Sequence, residues 1–153
     1  MSSRVMKALG LLLLIDCLIT FNQAKIYSRC KLARRLEHSG MDEFRGYGLE
    51  NWLCVAYYES GFDTEAQNTL EDGSTAYGIF QIDSRIWCKN DEEPSKNRCH
   101  ISCSELLNDD ISDDIMCAKK IVKETESMDY WDSWKIHCED KDLSEWIEGC
   151  DDH

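Results

Sequence analysis

The sequence predicts an α+β domain, mainly helical, with one small β-lobe inserted in its middle and disulfides tying it together. Three observations predict this. Apolar residues recur at three- and four-residue steps on both sides of a central stretch. Residues 64–83 lose that period and gain Gly73 and Gly78. Eight of the nine cysteines are spread through the chain from Cys30 to Cys150, an even number in a single small unit.

The start of the chain stands apart. Arg4 and Lys7 precede an apolar run from Leu9 to Ile15, extended by Leu18, Ile19 and Phe21, and Asn22-Gln23-Ala24 leads into Lys25. This reads as a secretory signal peptide over residues 1–24, cut after Ala24. As a membrane anchor it is too short and too interrupted. One domain remains, residues 25–153, long enough for a modest core.

Within it, Cys30 to His38 carries helical spacing, with Leu32 and Leu36 on one face and Gly40 as a stop. A second helix spans Leu49 to Ser60, where Leu49, Trp52, Leu53, Ala56 and Tyr57 share a stripe and Gly61 suits the C-terminal end. Residues 64–83 form the hairpin region, and 84–103 a disulfide-tied loop. Ser112-Asp113-Asp114 opens a helix running to about Glu124, and Asp129 to His137 supports a short one. Trp52, Trp134 and Trp146 fall at helical spacing and read as core. His38, His100, His137 and His153 are scattered and carry no assigned chemistry.

Composition narrows the function. The full chain has a net charge of −13; removing residues 1–24 takes two basic residues and one acidic residue, leaving −14. That surface repels nucleic acid and anionic membranes, so no nucleic-acid role and no membrane insertion are expected. Cys17 leaves with the signal. The other eight cysteines read as four disulfides of a secreted, extracellular protein; zinc is the weaker reading, since no close cysteine pair faces a second pair. Eight cysteines allow 105 pairings, and spacing alone does not choose among them.

Two segments carry the chemistry. Tyr57-Tyr58-Glu59-Ser60-Gly61-Phe62 puts a carboxyl group at the end of an aromatic-rich helix. Asp72-Gly73-Ser74-Thr75-Ala76-Tyr77-Gly78-Ile79-Phe80-Gln81-Ile82-Asp83 reads as a β-hairpin. With Cys117-Ala118-Lys119-Lys120-Ile121-Val122, and with cysteine spacing that matches throughout except for a Cys88–Cys99 loop one residue short, the mature chain resembles the chicken-type lysozyme and α-lactalbumin family. It is most similar there to sperm lysozyme-like proteins and calcium-binding lysozymes. The resemblance implies a lysozyme-like fold and the pairs Cys30–Cys150, Cys54–Cys138, Cys88–Cys103 and Cys99–Cys117.

The resemblance also implies a glycoside hydrolase ancestry, with β-1,4-linked N-acetylglucosamine and N-acetylmuramic acid polymers such as peptidoglycan as ligand. Glu59 takes the general-acid position. Burial raises a carboxyl pKa by stripping water from its charged form, and a helix C-terminus disfavours negative charge. That tuning is a known property of the family's acid, with Trp131 placed against it, and comes to Glu59 by resemblance. The second carboxylate of a retaining mechanism, needed about 5–5.5 Å away, is replaced by Ala76. If the hairpin turn centres between Ile79 and Phe80, residue 76 pairs with 83, and Asp83 becomes a possible substitute carboxylate. Other departures point away from turnover. Leu70 replaces a polar residue, Ile86 replaces a cleft tryptophan, and Tyr130 matches a tyrosine that narrows the cleft in α-lactalbumin. Trp87 and Trp131 are expected to offer faces to sugar rings, and Asn68 and Gln81 to supply hydrogen bonds.

Glu105 to Asp114 packs five acids into ten residues. Calcium takes hard oxygen ligands on flexible loops. The resemblance assigns side chains of Asn108, Asp113 and Asp114 and backbone carbonyls of Glu105 and Asp110. Asn108 replaces an aspartate, so weaker binding is expected. The competing reading is that Asp113 and Asp114 simply favour a helix start. The expectation is a secreted, monomeric, calcium-binding lysozyme-like protein with weak or lost muramidase activity. The alternatives are a non-catalytic glycan-recognition protein and an α-lactalbumin-like regulator of a galactosyltransferase.

Overall fold

The computed structural model describes residues 25–150. The expected signal peptide, Cys17 and residues 151–153 lie outside them. Helix α1 (Arg29–His38) buries Leu32, Ala33 and Leu36. Helix α2 (Leu49–Ser60) buries Leu49 and the run from Trp52 to Ala56. It ends at Gly61, whose φ of 62° is the left-handed conformation that closes a helix at least cost in glycine.

Three short antiparallel strands follow: β1 (Gln67–Thr69), β2 (Thr75–Tyr77) and β3 (Ile82–Asp83), in that spatial order. The β1–β2 turn is held by the Asp72 carboxylate, which accepts the Ser74 backbone N–H at 2.9 Å and the Ser74 hydroxyl. These bonds and Arg85 push the Asp72 carboxyl down to about 2. In the sheet register Asn68 faces Ala76, and Ala76 faces Asp83. The pairing of 76 with 83 is the one expected from the hairpin.

Beyond the sheet, residues 84–103 form the expected loop. It ends in a 3-10 turn (Cys103–Leu106), and helix α3 (Ser112–Thr125) buries Ile115, Ala118, Ile121 and Val122. Helix α4 is Asp132–His137, starting later than the spacing suggested. The reason is Trp131, whose backbone is extended (φ −91°, ψ 106°) while its indole turns inward. All four disulfides are those implied by the resemblance.

The two lobes meet at the β2–β3 turn. The Ser60 hydroxyl, at the end of α2, lies 2.7 Å from the Ile79 carbonyl and 2.8 Å from that of Ala56. The Trp131 indole N–H donates to the Phe80 carbonyl at 2.7 Å. Beneath these bonds Trp52, Phe80 and Trp131 pack with centroids 5.7–6.3 Å apart. Such pairs add about 0.5–1.5 kcal/mol each beyond the area they bury. Trp52 and Trp134 are buried as expected. Trp146 is only half-buried, beside Tyr57.

Candidate functional site

A cleft of about 430 Å³ opens between the end of α2, the sheet and residues 130–132. Glu59, Asn68, Ala76, Gln81, Asp83 and Tyr130 all line it, with Leu70 and Asp132. The sequence readings for the acid, the missing carboxylate, the candidate substitute and two of the four sugar contacts therefore converge on one place.

Glu59 sits half-buried at the last turn of α2. Desolvation raises its pKa above the usual carboxyl value, the Ser133 hydroxyl pulls the other way, and the Asp132 carboxylate adds a further upward push. Sequence reasoning missed Asp132 and Ser133. Both lie in the first turn of a helix only six residues long, and nothing in their spacing marks them as neighbours of Glu59. A carboxyl that holds its proton above the ordinary range can deliver one to a leaving oxygen.

Across the cleft Ala76 is buried, 2 % exposed, and presents only a methyl group. Asp83 beside it is 8 % exposed and its oxygens are occupied. One accepts the backbone N–H groups of Arg85 (3.0 Å) and Ile86 (2.8 Å); the other accepts the Tyr130 hydroxyl at 2.9 Å. The Asp83 N–H donates back to the Tyr130 oxygen at 3.0 Å. Burial and the Asp83 carboxylate push the Tyr130 phenol well above its ordinary pKa. Tyr130 is thus a clasp between the lobes.

The amide pair is self-satisfied. Asn68 donates to the Gln81 side-chain oxygen at 2.8 Å, and the Gln81 amide donates to the Ala66 and Gly78 carbonyls. Gln81 has no free donor left for a sugar, whereas exposed Asn68 retains its carbonyl oxygen. Trp87 and Trp131 were the other two expected sugar contacts. They are 4 % and 1 % exposed and lie outside the cleft lining, so they show no open face. The Tyr130 ring packs edge-on against both, at 6.2 and 5.1 Å.

The acidic loop is only partly gathered. Asp114 is fully buried, and neither carboxylate oxygen has a hydrogen-bond partner among the described residues. Desolvation pushes its pKa up to about 8, with Asp113 and Asp110 adding to the rise and nearby amides offsetting part of it. One of its oxygens and the Leu106 carbonyl oxygen occupy the space that a Cβ on Gly78 would need. Asp110 is exposed, and one oxygen of its carboxylate accepts both the Ser112 N–H and the Ser112 hydroxyl. Asn108 is exposed and accepts the Asp110 N–H; Glu105 is exposed and Asp113 half-buried. Among the described residues no three His, Cys, Asp or Glu side chains converge on one point, so a cation here would depend on carbonyl oxygens.

A two-lobed, four-disulfide domain with a half-buried glutamate facing a three-stranded sheet has the architecture of a lysozyme-type glycosidase. The family model described as C-type lysozyme/alpha-lactalbumin family matches residues 25–150, and the chain belongs to that family. It is 54 % identical to human "Lysozyme-like protein 2" over 95 % of this chain and 99 % of that protein. It is 50 % identical to human "Sperm acrosome-associated protein 5", over 97 % and 94 %. Among solved structures, lysozyme from Equus asinus aligns with a TM-score of 0.80 and 49 % identity, covering 82 % of this chain and 98 % of that one.

The raised pKa of Glu59 has a consequence for stability. The folded state holds the Glu59 proton more tightly than the unfolded chain does. Stability from this group is present at pH below the ordinary carboxyl range and is lost as pH rises through it. Glu59→Gln should therefore raise the thermal midpoint at pH 7 and leave it near parental at pH 3.5. Calorimetry at the two pH values checks this; an equal effect at both would contradict it.

Proposed function

We propose that this protein is a secreted lysozyme-like protein that binds β-1,4-linked N-acetylglucosamine/N-acetylmuramic acid glycans and has weak or no muramidase activity. One observation carries the reading: Glu59 and Ala76 line one cleft, and the carboxylate paired across the strands from Ala76, Asp83, is held by two backbone amides and a phenol. A retaining mechanism needs an anion free to meet the oxocarbenium-like carbon. Asp83 would have to give up charge-assisted hydrogen bonds worth about 1.5–3 kcal/mol each to reach it. That argues for a tethering role and against substitution for the lost nucleophile. Asn68 and the remaining cleft volume support glycan contact on the β-side. Secretion is supported by the basic-then-apolar start of the chain; among the described residues no helix is long and apolar enough to cross a membrane.

The test is hydrolysis of a soluble chitooligosaccharide, alongside its binding by calorimetry, for the parent, Glu59→Gln and Asp83→Asn. Binding by the parent, with turnover at least about a thousandfold below that of an active lysozyme, is expected. Lysozyme-level turnover lost in both variants would show Asp83 to be the substitute carboxylate. Absence of binding together with a changed acceptor preference of a galactosyltransferase would favour the regulator instead.

Calcium is the second part of the proposal. The buried, unpartnered Asp114 carboxylate fits a hard cation. Side chains of Asn108, Asp113 and Asp114 and carbonyls of Glu105 and Asp110 would hold it. The ion would supply positive charge to offset the loop's acids and brace the start of α3. Millimolar calcium should raise the parent's thermal midpoint by several degrees and leave Asp114→Asn unmoved. An unchanged parental midpoint would exclude a site in the folded state.

A further inference from the structure

A second concavity of about 680 Å³ lies between the end of α1, Phe44 and the outer face of α3, and it shares no residue with the cleft. Its charge is opposite to that of the molecule. Arg35, Lys119, Lys120 and Lys123 line it against one acid, Glu124, on a chain with a net charge of −13. Its apolar surface comes from Phe44, Ile115 and Met116, the last of them 46 % exposed.

Fold stability accounts for some of these cations but not all. Lys119 donates to the Ser39 carbonyl at the end of α1, where positive charge is favoured, and its ammonium lies 5.5 Å from the Phe44 ring centroid. Arg35 bonds the Ser39 and Ser112 hydroxyls, joining α1 to α3. Glu124 is shared between Arg98 at 3.1 Å and Lys120 at 3.9 Å. Lys123 has no ion pair or side-chain hydrogen bond among the described residues. An unpaired ammonium therefore stands on the same helix as an exposed thioether chain, in a concavity within the usual range of about 300–1,000 Å³ for small-molecule sites.

We propose that this groove binds a small anionic amphiphile, a single sulfate, sulfonate or carboxylate head on an aryl or alkyl body. The head meets Lys123 and Lys120; the body lies over Met116 and the Phe44 ring. The apolar floor argues against a purely ionic ligand, which would leave it bare. The net negative charge argues against an extended polyanion or a bilayer, both of which would be repelled outside the groove.

The probe is 1-anilinonaphthalene-8-sulfonate, followed by fluorescence titration of the folded chain at neutral pH. The neutral N-phenyl-1-naphthylamine and a heparin fragment are run beside it. Saturable one-site binding is expected, weakened about tenfold or more in Lys123→Glu and in Met116→Glu, with the neutral analogue weaker by a similar factor. Parental thermal midpoints in both variants confirm that they are folded. Chemical-shift mapping of the bound probe should fall on residues 112–124 and Phe44. Absence of saturation, equal affinity in parent and variants, or shifts confined to the Glu59 cleft would overturn the proposal. So would heparin binding that competes with the probe and ignores Met116→Glu, since it would reduce the groove to a patch of charge.

Discussion

The docking of the β2–β3 turn onto the helical lobe governs the rest of the molecule. Ser60 holds the Ile79 carbonyl, the Trp131 indole holds the Phe80 carbonyl, and the rings of Trp52, Phe80 and Trp131 close beneath them. Glu59 is the residue before Ser60, and Ala76 and Asp83 lie on the two strands that the turn joins. The same bonds that pin the turn therefore fix which side chains Glu59 can face. Gly78 belongs to this joint: its φ is +81°, and a Cβ there would collide with the Leu106 backbone.

Because this joint is buried, polar groups near it respond strongly to one another. In a partly dry cleft a carboxyl holds its proton to higher pH than usual, as Glu59 does, and a buried carboxylate gathers hydrogen-bond donors, as Asp83 does. Tyr130 serves that second need and also packs edge-on against Trp87 and Trp131. One side chain thus bonds Asp83 and bridges the lobes. The site retains its acid while the carboxylate across the strand pair from Ala76 is tied down by hydrogen bonds.

Much of this was legible in the sequence. The stripe from Leu49 to Tyr57 with Gly61 marked α2, and the pairing of 76 with 83 followed from where the hairpin could turn. The cysteines announced disulfides, but their pairing came only from family likeness, because loop spacing does not distinguish among closures. The start of α4 was misjudged because periodicity does not show that Trp131 leaves the helix to bond Phe80. The burial of Trp87 and Trp131 was hidden for a related reason: a tryptophan reads alike whether its face is open or covered, and the covering residue is distant from Trp87 in sequence. Asp132 and Ser133 reach Glu59 only through the tertiary fold.

The proposed function makes turnover depend on the anion absent at position 76 and on the Tyr130 bond that holds Asp83 across the strand pair. The most direct measurement is the rate of chitooligosaccharide hydrolysis by Ala76→Asp combined with Asp83→Asn and Tyr130→Ala, compared with the parent. This restores one free carboxylate without placing two across the same strand pair. A gain of about a hundredfold or more, abolished by adding Glu59→Gln, is the predicted result. A folded variant that binds the oligosaccharide yet hydrolyses it no faster than the parent would contradict the account.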